Sequence, residues 1–393
     1  MDLDALASNY RAIARSLPKS CALMPVVKAD AYGHGARHVA RRLAEEGAPV
    51  FAVAVVEEGL ELRRAGITQP ILVMGWIGKD QLGSLVDGEL TPNIHSVEQA
   101  EEMKIYLEGE EGRGEPRAPL PVHVKLDTGM TRLGVRGEEL LPVLDRLDAM
   151  KGKIFLEGVF QNFASAEEPG GAQTETQLRI FLEGVKAIRA AGHQPSIIHT
   201  DNSAATISRL VNSPSKQVLF EPTHVRPGLA LYARVPGLPL FSEQEDSLSD
   251  VMSFVSVVDQ VKTVPKGTRV GYGGMFVAGR TTTLAIVPAG FADGVPRHLS
   301  GRGHVLIGGR RCSIAGRVSM DLTAVDVTDL PARPARGEEV VFFGRQGDAR
   351  LGVDEVARAA GTVAWEILCG VGPRVPRIIL SGGEIVARES KFL

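Results

Sequence analysis

The residues of this chain that could do chemistry are a lysine, two arginines, a serine and a tyrosine, each set beside glycines or at the end of an apolar run. Lys28 closes the apolar run Ala22–Val27 and is followed by Ala-Asp-Ala-Tyr-Gly-His-Gly35. A lysine directly after a buried strand is poorly solvated unless it points into a pocket. Desolvation lowers its pKa, and a neutral amine attacks carbonyls to give a Schiff base. On these residues alone, a stem that snorkels to the surface is the plain alternative. Arg132 lies in Lys125-Leu-Asp-Thr-Gly-Met-Thr-Arg-Leu-Gly134. Its planar fork suits a carboxylate through two parallel bonds, although a surface arginine on a turn would read the same way. Asn202 and Ser203 open a helix after an apolar strand, where a hydroxyl and free backbone N–H groups bind phosphate or simply cap the helix. Tyr272, in Val270-Gly-Tyr-Gly-Gly274, is either a loop tyrosine among turn glycines or an acid–base group.

These residues need a scaffold, and the first 240 residues supply a repeating one. Apolar runs at Ala22–Val27, Val50–Val55, Ile71–Gly75, Leu90–Ile94, Val122–Leu126, Ile154–Phe160, Ile197–Thr200 and Thr223–Arg226 alternate with amphipathic stretches. Eight strands separated by helices predict an α/β fold with a (β/α)8 TIM-like barrel. Lys28, Arg132, Ser203 and Arg226 then all follow strand ends, on the face where such barrels carry function. From about residue 241 the texture changes to short β-rich runs (Val251–Val264, Thr283–Val287, His304–Ile307, Leu322–Val327, Glu339–Phe343) broken by Gly and Pro. This predicts a mostly β second domain over 241–393, reached through a Pro/Gly and polar linker at 235–250. Glu108–Pro121 reads as a Gly/Pro/charge-rich loop.

Composition narrows the partners. A formal charge of −3 leaves no excess of positive charge for nucleic acid. No apolar run approaches the ~20 residues of a membrane span, and the first residues lack the pattern of a secretory signal. Three scattered cysteines, Cys21, Cys312 and Cys369, suggest reduced thiols and neither disulfides nor a metal centre. The expectation is a cytoplasmic protein with no metal.

Val26-Val-Lys-Ala-Asp-Ala-Tyr-Gly-His-Gly35 resembles the pyridoxal-phosphate segment of alanine racemases, V-x-K-A-N-A-Y-G-H-G. The resemblance extends in order through K-x-D-T-G-M-x-R-L-G (Lys125–Gly134), H-x-x-N-S (His199–Ser203), V-R-P-G-x-x-x-Y (Val225–Tyr232), the Tyr272 segment and G-R-V-x-M-D (Gly316–Asp321). It implies pyridoxal 5'-phosphate as cofactor, held by Lys28 as a Schiff base. Tyr32, Ser203, Gly228 and Leu229 would lie at the phosphate and Arg226 at the ring nitrogen. Arg132 and Met320 would meet the substrate, with Asp321 in support and Lys125, often carbamylated in the family, orienting Arg132. Lys28 and Tyr272 would be the two catalytic bases on opposite faces of Cα, the tyrosine coming from the partner of a homodimer with shared active sites. An arginine at the ring nitrogen resists giving up its proton. The ring is then a weaker electron sink, which suits racemisation better than transamination or decarboxylation.

The resemblance implies interconversion of L- and D-alanine, supplying D-alanine for peptidoglycan. Four departures set a second reading beside it, a broad-specificity amino-acid racemase. The usual histidine of T-H-F-A is Asn162, a tyrosine is Phe291, another is Trp365, and the family has residues before Asp2 that this chain lacks. Asn162 and Trp365 are carried over as cofactor-wall residues. A decarboxylase fits less well, because Arg226 replaces the acidic ring-nitrogen partner and no Asp follows Cys369. A non-catalytic pyridoxal-phosphate-binding protein would be a barrel alone.

Overall fold

The computed structural model describes residues 1–109, 118–168, 171–212, 220–235 and 248–390. The expected boundary at 240/241, most of the linker and the middle of the Glu108–Pro121 loop lie outside these residues. Eight parallel strands form the first sheet: β1 (Ala22–Leu23), β2 (Phe51–Val53), β3 (Ile71–Val73), β4 (Thr91–Ile94), β5 (Leu120–Lys125), β6 (Ile154–Phe160), β7 (Ile197–His199) and β8 (His224–Val225). Their order is β1-β8-β7-β6-β5-β4-β3-β2. A bridge between Val26 and Ala52 joins the two ends, with Val27 N donating to Ala52 O at 2.9 Å and Ala52 N to Pro25 O at 3.0 Å. The sheet is therefore a closed barrel, as the eightfold alternation predicts. Burial on both faces explains why these strands are runs of apolar residues rather than alternations.

The ladder of β1 is shorter than its apolar run. Pro25 has no N–H to give, so pairing past Leu23 continues as single bonds from Met24 N to Val225 O (2.8 Å) and Val26 N to Pro227 O (3.0 Å). Helices alternate with the strands, starting at Leu3–Ser16, which Asp2 caps by accepting from Asp4 N and Ala5 N.

The second body is antiparallel β with its own apolar core. Its strands are β9 (Phe254–Val257), β10 (Gln260–Val264), β11 (Arg269–Val270), β12 (Phe276–Val277), β13 (Thr282–Val287), β14 (His304–Ile307), β15 (Arg310–Ile314), β16 (Thr323–Asp326), β17 (Glu339–Gln346), β18 (Ala349–Leu351), β19 (Arg377–Ser381) and β20 (Glu384–Glu389). The single run expected at Val251–Val264 is two strands, divided where Val258 N turns to Glu338 O and Asp259 N to Ile286 O. The β19–β20 hairpin returns to the barrel's first residues: Met1 N donates to Ile378 O at 2.9 Å, and Leu380 N to Met1 O at 2.7 Å. Leu229, just after β8, packs in the second core. The two bodies are thus joined at both ends of the barrel sequence.

Candidate active site

Lys28 is held by an unusual piece of backbone. After it, Ala29, Asp30, Ala31 and Tyr32 all have φ between 52° and 55° and ψ between 40° and 51°, one turn of left-handed helix made from residues with side chains. Each such residue costs about 1–2 kcal/mol, so neighbours must hold the turn. Glu58 does so at one end: its carboxylate accepts from Ala29 N (2.6 Å), Ala54 N (2.7 Å) and Val55 N (3.3 Å). Asp30 Oδ1 accepts from Ala36 N at 2.7 Å, tying the turn to the helix Ala36–Glu45. At the far end a Cβ on Gly33 would fall 2.5 Å from Leu368 O, so glycine admits the second body's helix Ala364–Cys369.

The turn aims Lys28 into a cavity of about 330 Å³ at the C-terminal end of the barrel strands. Tyr32, Lys125, Arg132, Asn162, Ser203, Arg226 and Gly228 also line it, with Phe160 in the wall. Four cationic side chains in one pocket act on each other. Burial, then Arg132, lowers the Lys28 pKa. The same causes, with Arg226 and Lys28 added, push Lys125 down to about 8. Burial brings Arg226 down to about 10, where it is still charged at neutral pH. The Arg226 guanidinium donates to His199 Nδ1 (2.9 Å), Gln161 O (2.6 Å) and Thr200 O (3.2 Å), and lies 5.3 Å from the Phe160 ring centre.

One corner of the cavity gathers neutral donors. Ser203 Oγ accepts from Gly228 N (2.9 Å) and Ala230 N (3.2 Å). A Cβ on Gly228 would collide with the Tyr32 hydroxyl. Asn202 caps the helix Ser203–Asn212 by accepting from Ala205 N at 3.0 Å, which leaves Ser203 to face the corner. A hydroxyl pair and converging N–H groups at a helix start form a phosphate cup.

Other candidates lie elsewhere in the single chain. Tyr272 is 73% exposed, on a turn with Gly271, Gly273 and Gly274 at positive φ. Met320 and Phe291 are also exposed, and Ala292 N donates to Met320 O at 3.0 Å. Asp321 is bound by Arg374, which also grips Asp293. Trp365 is half-exposed on its helix, and Leu229 turns its side chain to the second core; neither lines the cavity. Asn162 lines it without touching Arg226: its amide meets Met130 Sδ (3.1 Å) and Phe163 O (2.9 Å). Sequence reading missed Glu58, which carries no local signal. It also missed His123, whose two-residue offset from Lys125 on one strand was a usable sign that both point inward.

Profiles of known families match both bodies: "Alanine racemase, N-terminal domain" over residues 1–236 and "Alanine racemase, C-terminal domain" over residues 251–379. The chain belongs to the alanine racemase family. An alanine racemase of Sorangium cellulosum is 38% identical over 386 residues, 96% of this chain and 97% of the relative. Alanine racemase 2 of Bacillus subtilis is 37% identical, over 98% and 95% of the two chains. Among solved structures, the Bacillus anthracis alanine racemase with bound L-Ala-P has a TM-score of 0.88 at 32% identity, over 100% of this chain and 96% of that one. The Bartonella henselae alanine racemase, with covalently bound pyridoxal phosphate, has a TM-score of 0.81 at 28% identity, over 97% and 98% of the chains.

The alanine racemase cavity of this chain fits that cofactor. A partly desolvated lysine, a buried arginine fork and the phosphate cup line the same cavity, and only a glycine at 228 leaves the cup open.

Proposed function

We propose that this chain is a pyridoxal-phosphate-dependent racemase interconverting L- and D-alanine. The observation that carries the reading is the meeting of Lys28, Arg132, Arg226 and the Ser203–Gly228–Tyr32 cup in one 330 Å³ cavity, in a family member similar over its full length to alanine racemases. The chemistry that pyridoxal phosphate would supply in this cavity is an electron sink that acidifies the substrate's Cα proton. Lys28 takes or returns that proton on one face, and burial with the neighbouring Arg132 favours its neutral amine by lowering its pKa. Arg132 binds the substrate carboxylate. Lys125, at a pKa of about 8, is neutral in about a tenth of molecules at pH 7. That is the form able to take up CO2 as a carbamate and lie against Arg132. Arg226 keeps its proton and would hold the cofactor at its ring nitrogen.

The opposite face of Cα needs a second acid–base group, and among the described residues Tyr32 is the one tyrosine that lines the cavity. Tyr272 of the partner subunit fills that role in a homodimer with shared sites. Its exposure together with Met275, Val277, Phe291, Met320 and Leu322, an apolar surface on the second body, supports this assembly. Met320 and Asp321 belong to the same surface and complete the substrate end of the partner's site. No described helix is long and apolar enough to cross a membrane, and Cys21, Cys312 and Cys369 are free thiols. The free thiols suit a reducing, cytoplasmic compartment, and a formal charge of −3 offers no excess of positive charge for nucleic acid; in that setting the enzyme feeds D-alanine to peptidoglycan.

The test is racemisation of a panel of L-amino acids by the purified holoenzyme, read by chiral chromatography. Alanine turned over well ahead of serine and lysine is the expected result. Comparable rates across the panel would replace it with the broad-specificity reading that Phe291 and Trp365 favour. No exchange of any α-proton would overturn both.

A further inference from the structure

The barrel interior beneath Arg226 holds a column of polar groups where such barrels normally pack Val, Ile and Leu. His199 Nδ1 accepts from Arg226, and His199 Nε2 lies 2.9 Å from His123 Nδ1. His123 Nε2 lies 3.2 Å from a Glu157 carboxylate oxygen. Both imidazoles are fully enclosed, while Glu157 is about a quarter exposed at the other end of the column. Two backbone features make the column possible. The β5–β6 register shifts between Val122 and His123, so Leu156 pairs with Val122 and Gly158 with His123, leaving Glu157 as the extra residue of a bulge. A Cβ on Gly158 would fall 2.5 Å from the His123 ring. Bulge, glycine and histidine have one arrangement in common.

The hydrogen-bond directions are forced. A guanidinium only donates, so His199 Nδ1 is a bare acceptor and its proton is on Nε2. That proton points at His123 Nδ1, which must also be bare, so the His123 proton is on Nε2 and points at Glu157. Protonating either imidazole would set two N–H groups head to head. Burial independently keeps both neutral.

We propose that Glu157 and His123 are positioning residues for racemisation: the carboxylate fixes the tautomer of His123, which fixes that of His199, which holds the Arg226 fork at the cofactor ring. This rests on the function proposed above for Arg226, but the tautomers themselves do not. Through this column Arg226 is oriented from a carboxylate in the middle of β6.

The experiment compares the holoenzyme with its Glu157→Met and Glu157→Gln variants. Methionine removes the acceptor at similar size, and glutamine keeps an acceptor oxygen without charge. Nitrogen NMR of ¹⁵N-histidine-labelled holoenzyme reads the tautomers, and steady-state kinetics with L-alanine reads kcat and KM. The parent should show both histidines neutral and protonated on Nε2. Glu157→Met should lose the fixed His123 tautomer, drop kcat about tenfold with KM within about twofold, and shift the pH profile of the cofactor absorption band. Glu157→Gln should restore kcat to within about twofold of the parent. Parent-like tautomers and kcat in Glu157→Met would overturn the proposal, as would equal loss in both variants. A parent protein with the stated tautomers that fails to racemise alanine would defeat the assigned function and leave the hydrogen-bond column standing.

Discussion

Glu58 is the clamp on the strained turn, and its removal has a calculable cost. The four left-handed residues Ala29–Tyr32 store on the order of 6 kcal/mol at the usual penalty. Glu58 opposes this with charge-assisted bonds to three backbone N–H groups at 2.6, 2.7 and 3.3 Å. Ala54 is partly buried while Ala29 and Val55 are exposed, so water replaces the last two bonds more easily. About 2 kcal/mol for Ala54 N and ~0.5 kcal/mol for each of the others gives about 3 kcal/mol for Glu58→Ala. The loss is local, because the freed turn can relax and withdraw Lys28 from the cavity. Hydrogen exchange by mass spectrometry on the peptide 24–35, at fixed protein concentration, should show protection falling by about that amount, with kcat/KM down at least ~tenfold. Glu58→Gln, which keeps one acceptor oxygen, should fall between. Unchanged protection in Glu58→Ala would show that packing alone holds the turn and that the clamp is incidental.

Tyr272→Phe should cut racemisation by at least ~100-fold in both directions while leaving cofactor loading, followed by absorbance, unchanged; parent-like rates would remove Tyr272 from the mechanism. A Cβ on Gly228 would collide with the Tyr32 hydroxyl, so Gly228→Ala crowds the phosphate cup. It should weaken pyridoxal-phosphate affinity about tenfold, measured by equilibrium dialysis, with little change in the apoprotein's melting temperature. Lys125 is pushed down to about 8 from its ordinary 10.5, chiefly by burial. The folded state therefore binds fewer protons than the unfolded state between those values, and stability rises with pH there. In CO2-free buffer the apoprotein's urea midpoint should climb from pH 8 to 10, and Lys125→Met should flatten that slope; identical slopes would contradict the assignment.

The barrel was legible because a closed parallel sheet buries both faces of each strand, which writes it as uninterrupted apolar runs. The second body was half legible for the same reason in reverse. β15 (Arg310–Ile314) has only two buried positions and β20 (Glu384–Glu389) has none, so neither carries the apolar run by which a strand is recognised. The left-handed turn was hidden because Ala29, Asp30 and Ala31 are ordinary helix residues; only contacts with Glu58 and the helix Ala364–Cys369, distant in sequence, make the conformation tenable. That Lys28, Arg132, Ser203 and Arg226 would line one cavity was legible because each follows a strand that ends at the same rim.

Asn162 shows where residue identity and residue role part. The family pattern has a histidine there, and its replacement by Asn162 set the broad-specificity reading beside the alanine one. In this chain Arg226 takes its support from His199, Gln161 O and Thr200 O, while Asn162 is spent on Met130 and Phe163. Arg226 has no need of a histidine at 162, because its three acceptors come from β7 and the residues just beyond β6 and β7. What the substitution does change is the cavity wall near Met130, which lies on the same loop as Arg132. Its consequence therefore belongs to the shape of the cavity wall, while the Arg226 guanidinium is held by His199, Gln161 O and Thr200 O.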